Sequence, residues 1–232
     1  MQESISLNLL LVKMLDFKNK NKKLFATYLL DRISAHFPNA KIGLCFNKND
    51  PWQLFVAVIL SAQSMDVKVN NVTPKLFESF VDVYAFSKAT ANQIEPYIKI
   101  LGLFRNKSKN LVKSAKIIVK NYNGILPKKR SQLESLPGVG PKSAAVIIAS
   151  VFGQQAIAVD THVKRVTQRL GLTAQINPNK IEDELNKLFD NSRLLEAHHS
   201  LIWHGRKICK ARRPKCSECP VEQKCPKLIN NL

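Results

Sequence analysis

Apolar residues recur along most of this chain at the spacing of a helix rather than a strand. Leu111, Ala115, Ile118, Val119 and Tyr122 follow the i, i+4, i+7, i+8, i+11 stripe of one helical face. Ile181, Leu185, Leu188 and Phe189 do the same, behind Asn177 as a cap and Pro178 at the first helical position. Two stretches, 53–62 (QLFVAVILSA) and 144–151 (AAVIIASV), are apolar almost all round, the pattern of helices in the middle of a core. No alternating strand pattern competes and no internal repeat is present. Low complexity is confined to the Lys/Asn run at 18–23. Glycine is scarce, and short loops are marked by Pro, Gly and Asn. The expected fold class is all-α.

With 232 residues and 45% hydrophobic content, the chain can bury a sizeable core in one large domain or two small ones. Composition then adds a partner. Lys+Arg 36 against Asp+Glu 17 gives a net charge of +19, spread along the chain rather than gathered in a tail. A folded body this basic is expected to face a polyanion, with nucleic acid first, although a generally basic proteome gives the same excess. No apolar run reaches the ~18 residues of a membrane helix. Leu9-Leu10-Leu11-Val12 is short and lacks a basic leader and a cleavage site, so it makes a poor signal peptide. A reduced, cytoplasmic protein without a membrane partner is expected. Residues 1 to about 22 read as a loosely attached extension. Four of the five cysteines crowd into the last 24 residues, while Cys45 stands alone in an apolar setting and is expected in the core.

The candidate chemistry begins at Leu136-Pro137-Gly138-Val139-Gly140, a turn between a short helix near 130–135 and the apolar helix that starts around Lys142. Its two glycines allow tight backbone angles and close approach to a ligand. Free N–H groups at the start of the next helix point at an anion. This is how a helix-hairpin-helix motif grips DNA phosphates without reading sequence; an ordinary helix–helix turn is the plainer alternative. Lys142 sits at that helix N-terminus, where the dipole disfavours an ammonium and burial would disfavour it further. A partly neutral lysine is a nucleophile able to form a Schiff base, and a phosphate-binding lysine is the alternative. Asp160 follows the apolar run Ala156–Val159 and is a natural helix N-cap. A carboxylate there could also deprotonate the lysine or steady positive charge on a sugar ring.

Cys209, Cys216, Cys219 and Cys225 have the spacing C-x6-C-x2-C-x5-C. Zinc and a [4Fe–4S] cluster both accept four cysteines. Structural zinc sites usually pair two C-x2-C knuckles, so the irregular spacing favours the cluster, while two disulfides fit poorly with a reduced compartment. Arg206, Lys207, Lys210, Arg212, Arg213 and Lys215 are interleaved with the first ligands and would present cations to DNA. The loop's expected role is structural and recognitional, with no redox step.

Taken together, these residues resemble the endonuclease III family of base-excision DNA glycosylases over about residues 24–227. The resemblance includes Leu60-Ser61-Ala62-Gln63 with Asp66, Leu101-Gly102-Leu103 followed by Asn106-Lys107, the hairpin with Lys142, and Val159-Asp160-Thr161-His162. It continues through His198-His199 and His204-Gly205-Arg206 into the four-cysteine spacing. It implies two helical lobes: a six-helix lobe at 44–154 with the hairpin, and a second lobe of 24–43 plus 155–232 with the cluster loop at 209–225. Residues 1–23 are left as an extension outside the match. By resemblance, Lys142 is the Schiff-base nucleophile and Asp160 its essential carboxylate. Gln63 fills the gap left by a flipped nucleotide, and Ser61, Asp66 and Glu134 line the pocket between the lobes. Gly138, Val139, Gly140, Lys210, Arg212 and Arg213 face DNA, and the four cysteines hold a [4Fe–4S] cluster. The implied activity is removal of oxidised pyrimidines from duplex DNA and β-elimination at the abasic site, by a monomer. The lysine distinguishes this reading from relatives that only remove a base. His162, His198 and His199 are expected to be structural or phosphate-contacting groups rather than metal ligands. Two residues depart from the family pattern: Pro141 where a basic residue is common, and Met65 where a small hydroxyl residue is usual.

Overall fold

The computed structural model describes residues 21–47, 49–153 and 156–227, and every regular element among them is helical. Residues 1–20, with the apolar run at 9–12 and most of the expected extension, lie outside the described residues. Helix α1 spans 21–36. It is followed by α2 (Pro51–Ser61), α3 (Asp66–Ser79), α4 (Val83–Lys88), α5 (Ala91–Ile98), α6 (Phe104–Tyr122), α7 (Arg130–Glu134) and α8 (Pro141–Phe152). The chain continues through α9 (Thr161–Arg169), α10 (Pro178–Leu188) and α11 (Leu194–Lys207). No described helix is long and apolar enough to cross a membrane. Lys22 and Lys23 belong to α1 rather than to the extension. Lysine is a good helix former, and position 22 is in phase with the buried Ala26, Leu29 and Ile33.

The chain forms two compact units, one of Ile42–Ala158 and one that joins residues up to Lys41 to those from Val159 onward. The first holds seven described helices, α2 to α8, where the resemblance implies six. The short helix α7 stands where the sequence places one, near 130–135, whereas α4 and α5, of six and eight residues, are too short to display a clear apolar period. At its centre α2 and α8 pack against each other. Asp50 caps α2, accepting from the N–H groups of Trp52 (2.9 Å) and Gln53 (3.3 Å), and Pro51 takes the first helical position. Trp52 and every residue from Leu54 to Leu60 are buried, as an all-round apolar helix requires. Trp52 stacks on Phe55 at 5.1 Å and meets the edge of Phe86 at 5.2 Å. Helix α6 lays its Leu111–Ala115–Ile118 stripe into this core, against α4 and α5. Each Leu, Ile or Phe buried in this way contributes about 1.5–3 kcal/mol.

In the second unit α9 packs on α11. Their approach depends on Gly205, because a Cβ there would lie 3.0 Å from His162 Cβ and 3.1 Å from Val166 Cγ2. The Asn177 side chain caps α10, accepting from the Asn179 N–H at 2.9 Å, and Ile181 and Leu185 are buried. Arg193 ties α1 to the start of α11 by donating to Asp31 at 2.7 Å and to Glu196 at 2.9 Å.

Cys45 is exposed, not part of the core. Buried and exposed positions alternate along this irregular segment, and Leu44 takes the inward place. Met65 occupies the N-cap of α3 and makes no cap bond, since a thioether cannot serve the first amides as a hydroxyl does. Replacing Met65, which is 64% exposed, with serine is expected to raise stability by about 1 kcal/mol. Urea unfolding should show the midpoint move up with an unchanged slope.

Candidate functional site

The hairpin is built on α6. Ser114 Oγ donates to Pro137 O at 3.0 Å, and Val139 N–H closes the turn on Leu136 O at 3.1 Å. Gly138 has φ +84, and a Cβ there would meet Asn110 Nδ2 at 2.8 Å, so the residue is constrained by backbone angle and by space. Asn110 and Ser114 form a seat for the turn that no sequence motif singles out. Val139, expected to face DNA, is 7% exposed and packs in the core, because the turn needs an apolar anchor between its glycines. Gly140 caps α8 with φ −97, Pro141 takes the first helical position, and Lys142 is the second residue of the helix. The first intrahelical N–H is that of Ala144, bonded to Gly140 O at 2.9 Å, so the amides of Lys142 and Ser143 lie at the open N-terminus. The Lys142 side chain is exposed, because the inward positions of α8 begin at Ala144. Glu134, in the short helix before the hairpin, is paired with Arg130 at 2.8 Å.

A second exposed feature lies where α2 hands over to α3. Ser61 Oγ bonds back to Val58 O at 2.8 Å, and the turn ends at Asp66, the first residue of α3. Between them Gln63 is exposed with φ +53. Leu103, the N-cap of α6, has φ +58 and is 55% exposed. Two non-glycine residues in the left-handed region cost on the order of 1 kcal/mol each, which the surrounding structure must offset. The two turns are neighbours, since a Cβ at Gly102 would lie 3.6 Å from Gln63 O. Only the Leu101-Gly102-Leu103 motif marks Leu103 in the sequence; its exposure needs the tertiary structure.

Asp160 belongs to the unit that excludes Lys142. It is the N-cap of α9, and Asp160 Oδ1 accepts from the N–H groups of His162 and Val163, both at 2.8 Å. Arginines of the same helix hold the cysteine loop. Arg165 Nη2 lies 3.2 Å from His162 Nδ1 and donates to Gly205 O at 2.8 Å, while its Nε donates to Cys209 O at 3.1 Å. Arg169, buried at 5% exposure, donates to Lys210 O at 2.7 Å and Ala211 O at 3.1 Å, with Nη1 3.7 Å from Cys209 Sγ. Burial, with Arg165 and Arg206 adding to it and Asp160 opposing it, pushes His162 below the usual histidine range.

Cys209, Cys216, Cys219 and Cys225 line one small cavity of about 30 Å³ together with Arg169 and His204. Among the described residues, no group of three or more His, Cys, Asp or Glu converges closely enough for a single metal ion. Burial raises the Cys219 and Cys225 thiols, and Cys209 and Cys216 raise both further, so holding these two as thiolates requires a compensating positive centre. The N–H of Lys227 donates to Cys225 Sγ at 3.3 Å. His204 is buried with Nε2 3.8 Å from Cys219 Sγ, and its imidazole is pushed down to about 4, chiefly by burial. Lys210, Arg212 and Arg213 are exposed on the loop, Arg213 with φ +51.

The two hairpin glycines differ in a way that denaturation can measure. Gly138→Ala is expected to lower stability by about 1 kcal/mol or more, from its positive φ and the Asn110 clash. Gly140→Ala has ordinary backbone angles and nothing within 4 Å of the new Cβ, and should stay within about 0.5 kcal/mol of the parent.

Comparison with known proteins gives this architecture a family. Residues 56–191 match the family model described as the HhH-GPD superfamily base excision DNA repair protein. Endonuclease III of Rickettsia conorii is 42% identical over 202 residues, 87% of this chain and 95% of that one. Endonuclease III of Escherichia coli is 38% identical over 207 residues, 89% of this chain and 96% of the other. A solved structure of a trapped endonuclease III–DNA covalent intermediate superposes with a TM-score of 0.84 at 38% identity, covering 88% of this chain and 96% of that chain. The chain therefore belongs to the endonuclease III family of base-excision repair DNA glycosylases, within the helix-hairpin-helix superfamily.

Proposed function

We propose that this enzyme removes oxidised pyrimidines from duplex DNA and cuts the abasic strand by β-elimination through a Schiff base on Lys142, acting as a monomer. The observation that carries this reading is the lysine itself: it stands two residues after Gly140, at the open N-terminus of α8, an arrangement suited to an anion. The related endonuclease III that forms a trapped covalent intermediate with DNA supports it.

In this scheme the hairpin amides and the cations at Lys210, Arg212 and Arg213 hold backbone phosphates. The damaged nucleotide is extruded, at a cost lowered by its poor stacking. Gln63 fills the vacated place, and Leu103, an exposed apolar side chain on the adjoining turn, wedges between bases. Ser61, Asp66 and Glu134 contribute polar groups to recognition of the extruded base. Neutral Lys142 Nζ attacks the anomeric carbon of the sugar, forming a C–N bond as the glycosidic bond breaks and the base leaves with its electron pair and a proton. Asp160 stabilises the positive charge that develops on the sugar and accepts protons from the lysine. Ring opening gives an imine. Loss of the proton from the adjacent sugar carbon then expels the 3′ phosphate, and hydrolysis of the imine restores Lys142.

The four cysteines fit a [4Fe–4S] cluster: four thiols around one cavity, with N–H groups directed at two of the sulfurs. When bound, the cluster supplies cross-linking of the loop that presents Lys210, Arg212 and Arg213, and the proposed steps at the sugar do not pass through it.

Borohydride treatment of the enzyme on lesion-bearing duplex should trap a covalent adduct, and Lys142→Ala should abolish it; an adduct at full yield in that variant overturns the assignment. Base release with an intact abasic strand would instead identify a glycosylase without lyase activity. Asp160→Asn should retain the cap, since Asn and Asp cap equally well, and hold stability within about 0.5 kcal/mol. Its turnover should nonetheless fall about 100-fold or more. Purified protein should be brown, with about four irons and matching acid-labile sulfide per chain. Cys216→Ser should lose both and weaken DNA binding; a colourless zinc protein would refute the cluster.

A further inference from the structure

Lys107 carries an ammonium group that the proposed chemistry does not use. It lies in the first turn of α6 with 4% of its surface exposed. Burial pushes it below the usual lysine range. A methionine would fill similar space without desolvating a charge. The lysine's distinctive contribution is therefore a directed bond: Lys107 Nζ donates to Ser64 Oγ at 2.8 Å. Ser64 is the residue after Gln63, and its own N–H bonds to Ser61 O at 3.0 Å. Gly102, just before α6, lies beside the same turn, with room for a Cβ 3.6 Å from Gln63 O. A directed bond thus joins the start of α6 to a turn that holds an exposed glutamine in the left-handed region. Left alone, a non-glycine residue there relaxes toward cheaper backbone angles.

We propose that Lys107 is a positioning residue: its ammonium, bonded to Ser64, clamps the 62–65 turn so that Gln63 is held ready before DNA arrives. The proposal rests on the reading of Gln63 as the group that fills the gap. A turn ordered in advance spends less of the binding free energy on ordering when the nucleotide is extruded.

Lys107→Met keeps the buried stem and removes the donor, while Ser64→Ala removes the acceptor and serves if the first variant folds poorly. In both, hydrogen exchange at the Ser64 amide should rise about tenfold or more, with amides of α6 beyond its first turn unchanged. Base release from a lesion paired in duplex should fall about tenfold, and from the same lesion facing a gap in the opposite strand by less than about twofold. The double variant should be no slower than Lys107→Met alone. Unchanged exchange in both variants, or equal losses on the paired and gapped substrates, overturns the clamp. Gln63→Ala on the same two substrates separates the clamp from the reading beneath it. If Gln63→Ala slows only the paired duplex while the Lys107 and Ser64 variants do not, the gap-filling role stands and the clamp falls. If Gln63→Ala leaves the paired duplex unaffected, the gap-filling role falls and the clamp's part in catalysis falls with it.

Discussion

Two helices that are apolar nearly all round, α2 and α8, have to be hidden from water, and the unit Ile42–Ala158 is organised by that requirement. They pack on each other, and α3, α6 and α7 cover their remaining faces. A buried helix can meet a ligand only at its ends, because its sides are committed to packing. The chemistry of this unit accordingly sits at ends: the hairpin and Lys142 at the start of α8, and Gln63 just past the end of α2. The same core that buries Val139 and Leu60 fixes the backbone of the turns beside them. Residues such as Gly138 and Gln63 hold uncommon angles there because the packed elements on either side leave the turn little freedom.

The second unit solves a different problem, how to hold a cysteine loop that has almost no apolar content of its own. Here the fastening is polar. Arg165 and Arg169 reach from α9 to carbonyls of Gly205, Cys209, Lys210 and Ala211, and Gly205 brings α11 close enough for those bonds to form. Asp160 begins that same α9 and fixes its first turn through His162 and Val163. The arginines and the carboxylate thus share one short rigid helix, which connects loop geometry to the position of the acid.

Much of the fold could be read from periodicity and caps. The α6 stripe, the Asn177–Pro178 start of α10 and the Asp160 cap all appear where local rules put them, because helix phase and capping depend on residues a turn or less apart. The short helices α4 and α5 are harder to read, since six to eight residues hold too few repeats to establish a phase. The candidate site was legible as a set of residue types in order, but not as a surface. The Val139 side chain, between the two hairpin glycines, packs in the core, and Cys45, alone in an apolar stretch and expected inside, faces out. Burial depends on which neighbouring element covers a side chain, and local sequence does not name that element.

By itself, then, the sequence determined that the chain is helical, that it is strongly basic, where the hairpin and the four cysteines stand, and which lysine and aspartate accompany them. Those features are local in the chain or are sums over it. Only the tertiary structure decided that Asn110 and Ser114 seat the hairpin, that Arg165 and Arg169 hold the cysteine loop, and that Lys107 lies under Ser64, 43 residues away in sequence. These partners meet because helices far apart in the chain have buried their apolar faces together. A lysine's sequence neighbours do not say whether it will end in water or beneath a turn.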